Sequence, residues 1–542
     1  MPKIAHYLQE HLVGEVTDSM EVRRYFSRDA SILQITPSVI VYPANENDVR
    51  KTARFSWQLA ERGKILPITA RGGGSDTSGA AIGSGIMMVF TAHMNRILAL
   101  DPKKEFVTVE PGISFGSLQQ TLYTHGLFLP PYPTSSAYAT IGGSIANNSI
   151  GEKSVKYGDL GKYVEKLSVV LANGELIETG PLNKRELNRK LGLTTLEGNV
   201  YRGIDALIEE NQALLNDERQ RMQARHNRSG YNLFDVKKKG NFDLTPLLLG
   251  SQGTLGIVVE STLRLAEHNP AAELAILSLN SLQELHDALP GIIKLKPSIC
   301  EMVNKHAVYE ITRNNPNQLK GVLDNPSADM HLILEFDDTK EAAQKKAIKQ
   351  LTKVAEKTNS YLLVADSNEE RERIHKFQRA IATLFLQAKG NAKAVPVAED
   401  VSVPVDRLVD FLNRVTEIHN MAQLPPAIWG HAGDGVVRMH PVLDLAQTGD
   451  RQKLFKLSDM IYDSALTMGG SISASAGDGR IRAPYLGNVY GQEARQLMLK
   501  TKKIFDPAGI LNPGVKTVSM DEVRALMRSE YSRPHYEHLA HS

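Results

Sequence analysis

A chain of 542 residues, 42% hydrophobic and 23% charged, has the composition of a globular protein and the length of two or three domains. A formal net charge of +2 argues against a dedicated nucleic-acid surface. Its one cysteine, Cys300, excludes an intrachain disulfide and a cysteine-ligated iron–sulfur cluster within the chain. No run of about eighteen apolar residues is present, so no spanning helix is expected. Residues 1–16 are amphipathic, mixed in charge and without the apolar core of a secretory signal, and a cytoplasmic location, peripheral at a membrane at most, is the expectation.

In chain order, residues 1–30 predict helices ending near Asp29. Residues 37–43, PSVIVYP, alternate and are β-branched, which predicts a strand. Asn47 and Asp48 then read as the cap of a helix over 49–62, stopped by Gly63. The apolar run Ile65-Leu66-Pro67-Ile68 leads into Arg71-Gly72-Gly73-Gly74-Ser75-Asp76-Thr77-Ser78-Gly79. Three glycines allow the backbone to turn back on itself and to approach a ligand closely. Successive N–H groups in such a turn make an anion site, which the hydroxyls and Arg71 would reinforce. Taken alone, a glycine-rich surface turn is the plainer alternative. The segment lacks the Gly-Lys-Ser/Thr ending of a nucleotide loop and the glycine spacing of a dinucleotide fingerprint.

Strand-like runs at 86–90 and 106–112 and a short helix at 117–125 separate this segment from a second one. There Pro130-Pro131-Tyr132-Pro133 leads into Thr140-Ile141-Gly142-Gly143-Ser144 and on to Ser149, a loop rich in Gly, Ser and Asn. Residues 163–178 predict a hairpin turning at Asn173-Gly174 in type I′ geometry. Residues 200–225 predict a charged helix with a solvated face. Gly250-Ser251-Gln252-Gly253-Thr254-Leu255-Gly256 is a further glycine turn before a strand at Ile257. Beyond residue 270, strand-like runs at 273–279, 330–336, 361–365 and 399–404 alternate with helices, as in a mixed sheet covered on one face. Residues 520–542 predict a helix and a mobile tail.

Together these motifs resemble the vanillyl-alcohol oxidase/p-cresol methylhydroxylase superfamily of FAD-linked oxidases. Lys156-Tyr157-Gly158-Asp159 and the ending Phe505-Asp506-Pro507-Ala508-Gly509-Ile510-Leu511-Asn512-Pro513-Gly514 belong to the same pattern. Within the superfamily the chain is most similar to the D-lactate, glycolate and D-2-hydroxyglutarate dehydrogenase branch. The resemblance implies an α+β architecture: a two-part FAD-binding domain over 1–268 (core 34–268), an α+β cap over 269–460, a return to the FAD domain over 461–518, and a tail. It implies that FAD is cradled by Arg71, Gly72, Gly73, Gly74, Ser75, Asp76, Thr77 and Ser78 and by Pro133, Thr140, Ile141, Gly142, Gly143 and Ser144. Gly253, Gly256, Ile257 and Asn512 complete the set. Superfamily members that attach flavin near the first loop carry a His after the glycines. Here Ser75 stands there, which implies non-covalent FAD.

Relatives of that branch hold a divalent metal with the two His of Gly-His-Ala-Gly-Asp-Gly-Asn-Leu-His and the Glu of a Glu-His pair, whose His is the base. This chain keeps His431 but has Arg438 for the second His, Ser475 for the Glu and Ala476 for the base. Arginine is always cationic and is no ordinary metal ligand, so no catalytic metal is expected. His440, nine residues from His431, reads as lying on the opposite face of a strand. Arg438 either binds an anionic substrate group in the metal's stead or is a salt-bridged remnant. Arg379 matches a family arginine that contacts the substrate carboxylate, with a helix-surface ion pair as the alternative. His431 is the remaining acid/base candidate. Behind it come His440, Asp434, Asp478 and Tyr485, with Glu399 in a supporting role. The implied activity is oxidation of a small anionic D-2-hydroxy acid, D-lactate-like, with electrons passed to a quinone or a protein. Another hydroxyl substrate such as a sugar acid, or an FAD-binding subunit without turnover, stays open, as does a homodimer.

Overall fold

Apolar strands that must bury two faces dictate the architecture of this chain. The computed structural model describes residues 2–238, 240–314, 319, 323, 327–382, 392–396 and 398–528. The predicted tail past 528 lies outside them. No helix among the described residues is long and apolar enough to cross a membrane.

The first sheet has the strand order Glu15–Thr17, Val39–Tyr42, Ile86–Val89, Ile68–Arg71. The last three are parallel, because helix Glu46–Glu61 crosses over between the second and the fourth. The cap of that helix is Asn45, whose side chain accepts from Asp48 N at 3.2 Å, and not the Asn47-Asp48 pair predicted. Asp48 instead turns back and accepts from the amides of Val13, Gly14 and Ala44 at 2.8–3.0 Å, fastening the N-terminal segment to the sheet. Late in the chain, Ile68 N donates to Ile510 O at 2.7 Å and Asn512 N to Ile68 O at 2.8 Å, so residues 510–512 lie along the same sheet.

The second sheet is antiparallel, in the order Ile97–Asp101, Phe106–Val109, Ile257–Arg264, Val164–Val170, Leu176–Thr179. Its central strand buries Ile257, Val259, Ser261 and Leu263 in strict alternation. The hairpin predicted at Asn173-Gly174 is present, but its turn is not type I′. Leu171 N donates to Glu175 O and Gly174 N to Leu171 O, and of the two turn residues only Gly174 is left-handed (φ +84°). This is a three-residue loop closed by a glycine bulge. The predicted helix at 200–225 is two helices, Leu196–Glu210 and Gln212–Arg221.

The third sheet has seven strands, ordered Tyr361–Val364, Glu273–Leu279, Met330–Phe336, Ile299–Asn304, Ala427–His431, Val436–His440, Val401–Ser402. Every pairing in it is antiparallel, where a mixed sheet was expected. Helices cover both faces, not one. Ala275 and Leu277 pack with Leu285, Ile292 and Leu351 on one side. Leu274 and Ile276 pack with Ile311, Ile374 and Phe377 on the other.

Charged side chains close the seam between the second and third sheets. Lys153 pairs with Glu335 and with Asp337 at 3.2 Å, Lys156 pairs with Asp337, and the Tyr157 hydroxyl donates to Asp337 at 2.9 Å. Glu152 beside them accepts from the Tyr132 hydroxyl. Burial first, and then the charges of Glu301 and Glu335, push its carboxyl up to about 8 from an ordinary 4.5. The folded state thus binds this proton more tightly than the unfolded chain. Its stabilisation is complete below the ordinary value and is lost as pH rises toward about 8. Glu152→Gln is neutral throughout, so its unfolding midpoint should rise relative to wild type between pH 5 and 8; paired thermal melts across that range check the slope.

Candidate functional site

The first glycine loop leaves the carboxyl end of strand Ile68–Arg71, the end at which open α/β sheets bind ligands. It lies directly against the second loop. A Cβ on Gly72 would stand 2.1 Å from Thr140 Oγ1, and one on Gly73 2.0 Å from the Tyr138 carbonyl oxygen. Gly74 has φ +74°, open to few other residues. The second loop is less irregular than its sequence suggests, since Ile141–Asn147 is a short helix capped by Thr140. Two of its amides serve the fold: Gly143 N donates to Thr140 Oγ1 at 3.1 Å and Gly142 N to Pro111 O at 2.8 Å.

Between the loops runs a cleft with roughly 1430 Å³ of atom-free space, continuous with solvent. Arg71, Gly72, Gly73, Gly74, Ser75, Asp76, Thr77, Pro133, Thr140, Gly142, Gly143, Ser144, Gly253, Gly256 and Ile257 all line it. Three predicted cofactor residues do not. Ser78 is buried under Asp76 and Gln252. Ile141 is in the hydrophobic core. Asn512 is a brace, donating to Ala80 O at 2.9 Å and Gln252 O at 2.8 Å while accepting from Thr69 at 3.1 Å. Arg71 reaches the cleft, yet its Nη1 donates to Ala81 O at 3.0 Å, and burial lowers its affinity for protons to about 10. It supports the loop as well as charging it.

The far end of the cleft is built by the third sheet. Strands Ala427–His431 and Val436–His440 form a hairpin in which Trp429 faces Arg438. The guanidinium stands 4.8 Å over the indole, a cation–π geometry. Its Nη2 donates to Ser475 Oγ at 2.6 Å, and its buried Nε has no hydrogen-bond partner. The nearest carboxylate, Asp400, is 3.9 Å away and is occupied otherwise. It accepts from the amides of Ser475 and Ala476 at 2.9 Å and so shapes their loop. Glu399, also on the cleft wall, accepts from His440 Nε2 at 2.8 Å.

Other candidates are placed elsewhere. His431 and His440 occupy two antiparallel strands, so cross-strand pairing puts them on one face, not on opposite faces. They are held apart along that face by the Trp429–Arg438 pair, His431 standing opposite Val436 and His440 opposite Ala427. His431 is 1% exposed, lies off the cleft wall, and has Glu301 at 3.4 Å as its neighbour. Arg379 is outside the site: it is on the exposed side of helix Asn368–Ala382, paired with Glu372 at 2.5 Å. Asp434 is held by Arg225 at 2.8 Å, Asp478 by Lys516 at 2.7 Å, and the Tyr485 hydroxyl donates to Asp459 at 2.6 Å. Among the described residues no three His, Cys, Asp or Glu side chains come together to hold a metal ion. Trp429 was missed because an aromatic in an apolar run reads as core; its signal was the arginine nine residues on.

The cleft fits a flavin dinucleotide. Thr134 Oγ1 and Ser144 Oγ are buried on its wall without partners, which leaves two hydroxyl donors for phosphate oxygens beside the glycine backbone. Thr134, Ser144 and residues 72–77 would hold the pyrophosphate, and Gly253, Gly256 and Ile257 line the cleft on the side of the second sheet. Gly73→Ala forces a Cβ into a backbone carbonyl and should cut bound FAD by ~10-fold or more. Gly449→Ala, where a Cβ meets nothing within 4 Å, should leave it unchanged; the flavin-to-protein absorbance ratio of the purified proteins checks both.

Residues 37–180 match the family described as FAD binding domain, and residues 268–515 that of the C-terminal domain of FAD linked oxidases. D-2-hydroxyglutarate dehydrogenase of Escherichia coli strain K12 is 29% identical, covering 93% of this chain and 50% of its own length. The chain thus spans about half the length of the first such relatives it matches. D-lactate dehydrogenase of Anaerostipes hadrus is 26% identical, covering 95% of this chain and 97% of its own. A crystal structure of p-cresol methylhydroxylase with substrate bound superposes with a TM-score of 0.70 at 14% identity, over 96% of this chain and 97% of that one. The chain thus carries a match to an FAD binding domain followed by a match to the C-terminal domain of FAD linked oxidases, in a fold of the p-cresol methylhydroxylase type.

Proposed function

We propose that the protein is an FAD-dependent oxidoreductase that removes hydride from the hydroxyl-bearing carbon of a small D-2-hydroxy acid of the D-lactate type, without a catalytic metal. Arg438 carries this reading. It brings a half-buried guanidinium to the end of the cleft, holds it over the Trp429 ring and against the Ser475 hydroxyl, and leaves the buried Nε without a partner. A planar guanidinium fits a carboxylate by two parallel hydrogen bonds. The relatives named for D-lactate and D-2-hydroxyglutarate support the substrate class. The donor set supports the absence of a metal, since Arg438 and Ser475 supply no pair of ligands for a divalent ion.

When bound, FAD supplies an acceptor for hydride at flavin N5. The protein's own residues bind and orient. Arg438 holds the carboxylate, Trp429 roofs it, and the small Ala476 leaves room beside it. The described lining contains no His, Cys or Tyr, which supports non-covalent attachment. Electrons pass to an acceptor outside the chain, a quinone or a protein.

Metal analysis of the purified yellow protein with anaerobic D-lactate titration tests the reading. Bleaching without stoichiometric zinc or manganese is expected. Arg438→Ala should lower kcat/KM by ~100-fold or more, from loss of a buried charged contact, with Arg438→Lys in between. A required metal, or an unimpaired Arg438→Ala, sinks it.

A further inference from the structure

Arg438 is not the only charged group on the wall at that end of the cleft. Glu399 is 2% exposed and lines the cleft alongside Arg438, Trp429, Ser475 and Ala476. Its Oε2 accepts from Nε2 of His440, which is itself fully buried. Its Oε1 is buried and makes no hydrogen bond of normal geometry; the Thr77 hydroxyl, on the first glycine loop, is its neighbour. Burial opposes its ionisation, but the His440 hydrogen bond and the charges of His440 and Arg438 outweigh that and hold the carboxyl down at about 2. An ionised carboxylate only accepts hydrogen bonds. A buried acceptor oxygen without a donor is costly in an empty site and favourable once a ligand donates to it.

We infer that Glu399 accepts the hydrogen bond of the substrate hydroxyl and thereby sets which groups the site admits. This rests on the proposed reading of Arg438 as the carboxylate anchor. The wall then presents donors at Arg438 and an acceptor at Glu399. The ligand that satisfies both is a monocarboxylate with a hydroxyl on the adjacent carbon. A second carboxylate placed near Glu399 would meet a like charge, and a 2-oxo acid would set a lone pair against one.

Three isosteric ligands that cannot be oxidised test this on the holoenzyme. They are 2-hydroxy-2-methylpropanoate, 2,2-dimethylpropanoate (hydroxyl replaced by methyl) and 2-amino-2-methylpropanoate (hydroxyl replaced by ammonium). Affinity is read from the perturbed flavin spectrum and by calorimetry. The hydroxylated ligand should bind ~10-fold or more tightly than the methyl one, the value of a hydrogen bond to a charged group. In Glu399→Gln, His440 still donates to the amide oxygen and the NH2 faces the ligand. The preference should fall to within ~2-fold, and pyruvate should bind more tightly than to wild type. FAD content and thermal midpoint show that the variant is folded. Should it fail to fold, the wild-type series still decides. Equal binding of the hydroxyl and methyl ligands overturns the role of Glu399 alone, and tighter binding of the ammonium ligand overturns the hydroxyl assignment. If none of the three binds, the carboxylate reading of Arg438 falls and this inference with it.

Discussion

The contact between the two glycine loops is the constraint from which the cleft follows. At residues 72 and 73 one backbone passes another with no room for a side chain, the nearest atoms being a hydroxyl and a carbonyl of the second loop. That approach joins the end of a parallel strand in the first sheet to the start of a helix that packs in the core of the second. The loops therefore cannot shift independently, and the wall they make is as rigid as the two sheets behind it. Rigidity has a consequence for binding: backbone donors fixed beforehand need no ordering when an anion arrives.

Buried and half-buried carboxylates do the corresponding work elsewhere. Asp48 gathers three amides at the N-terminus, Asp76 accepts from Ser78 N and Ala80 N in the first loop, and Asp400 accepts from Ser475 N and Ala476 N beside the cleft. In each case the charge is satisfied by main-chain N–H groups, so irregular backbone is made specific without regular secondary structure. At the far end of the cleft this matters chemically. Because Asp400 is committed to its own loop, it shapes the surroundings of Arg438 without clamping the guanidinium, which keeps Nε without a partner.

Much of this was legible beforehand where chemistry is local. Glycines followed by hydroxyls marked the first loop, and an Asn-Gly pair marked the hairpin, because those residues are chosen for backbone reasons that act within a few positions. What depends on distant partners was not legible. Asn45, Asn47 and Asp48 are all cap-type residues, and only the fold shows that Asp48 faces residues 13, 14 and 44. Arg379 carried a short motif, but its helix turns it outward to Glu372. The two-sided cover of the third sheet did leave a trace. Strand Glu273–Leu279 is almost continuously apolar, as a strand buried on both faces must be. His431 and His440 share a face because a turn at Gly433-Asp434-Gly435 divides that stretch into two paired strands.

An arginine is a particular kind of cation. A divalent ion attracts any oxygen from any direction compatible with its shell, whereas a guanidinium offers donors in one plane. Arg438 stands over the Trp429 ring, and the Ser475 hydroxyl fixes one edge of the guanidinium. With Glu399 ionised nearby, the pair brings little net charge to that part of the wall. Attraction by field alone is therefore weak there, and an anion is held only where its oxygens meet the donors in plane. Selection by such a site rests on the direction of hydrogen bonds more than on charge. Lysine, a compact charge on a flexible stem, cannot reproduce it, and so the planar group at position 438 is the feature on which the proposed chemistry depends.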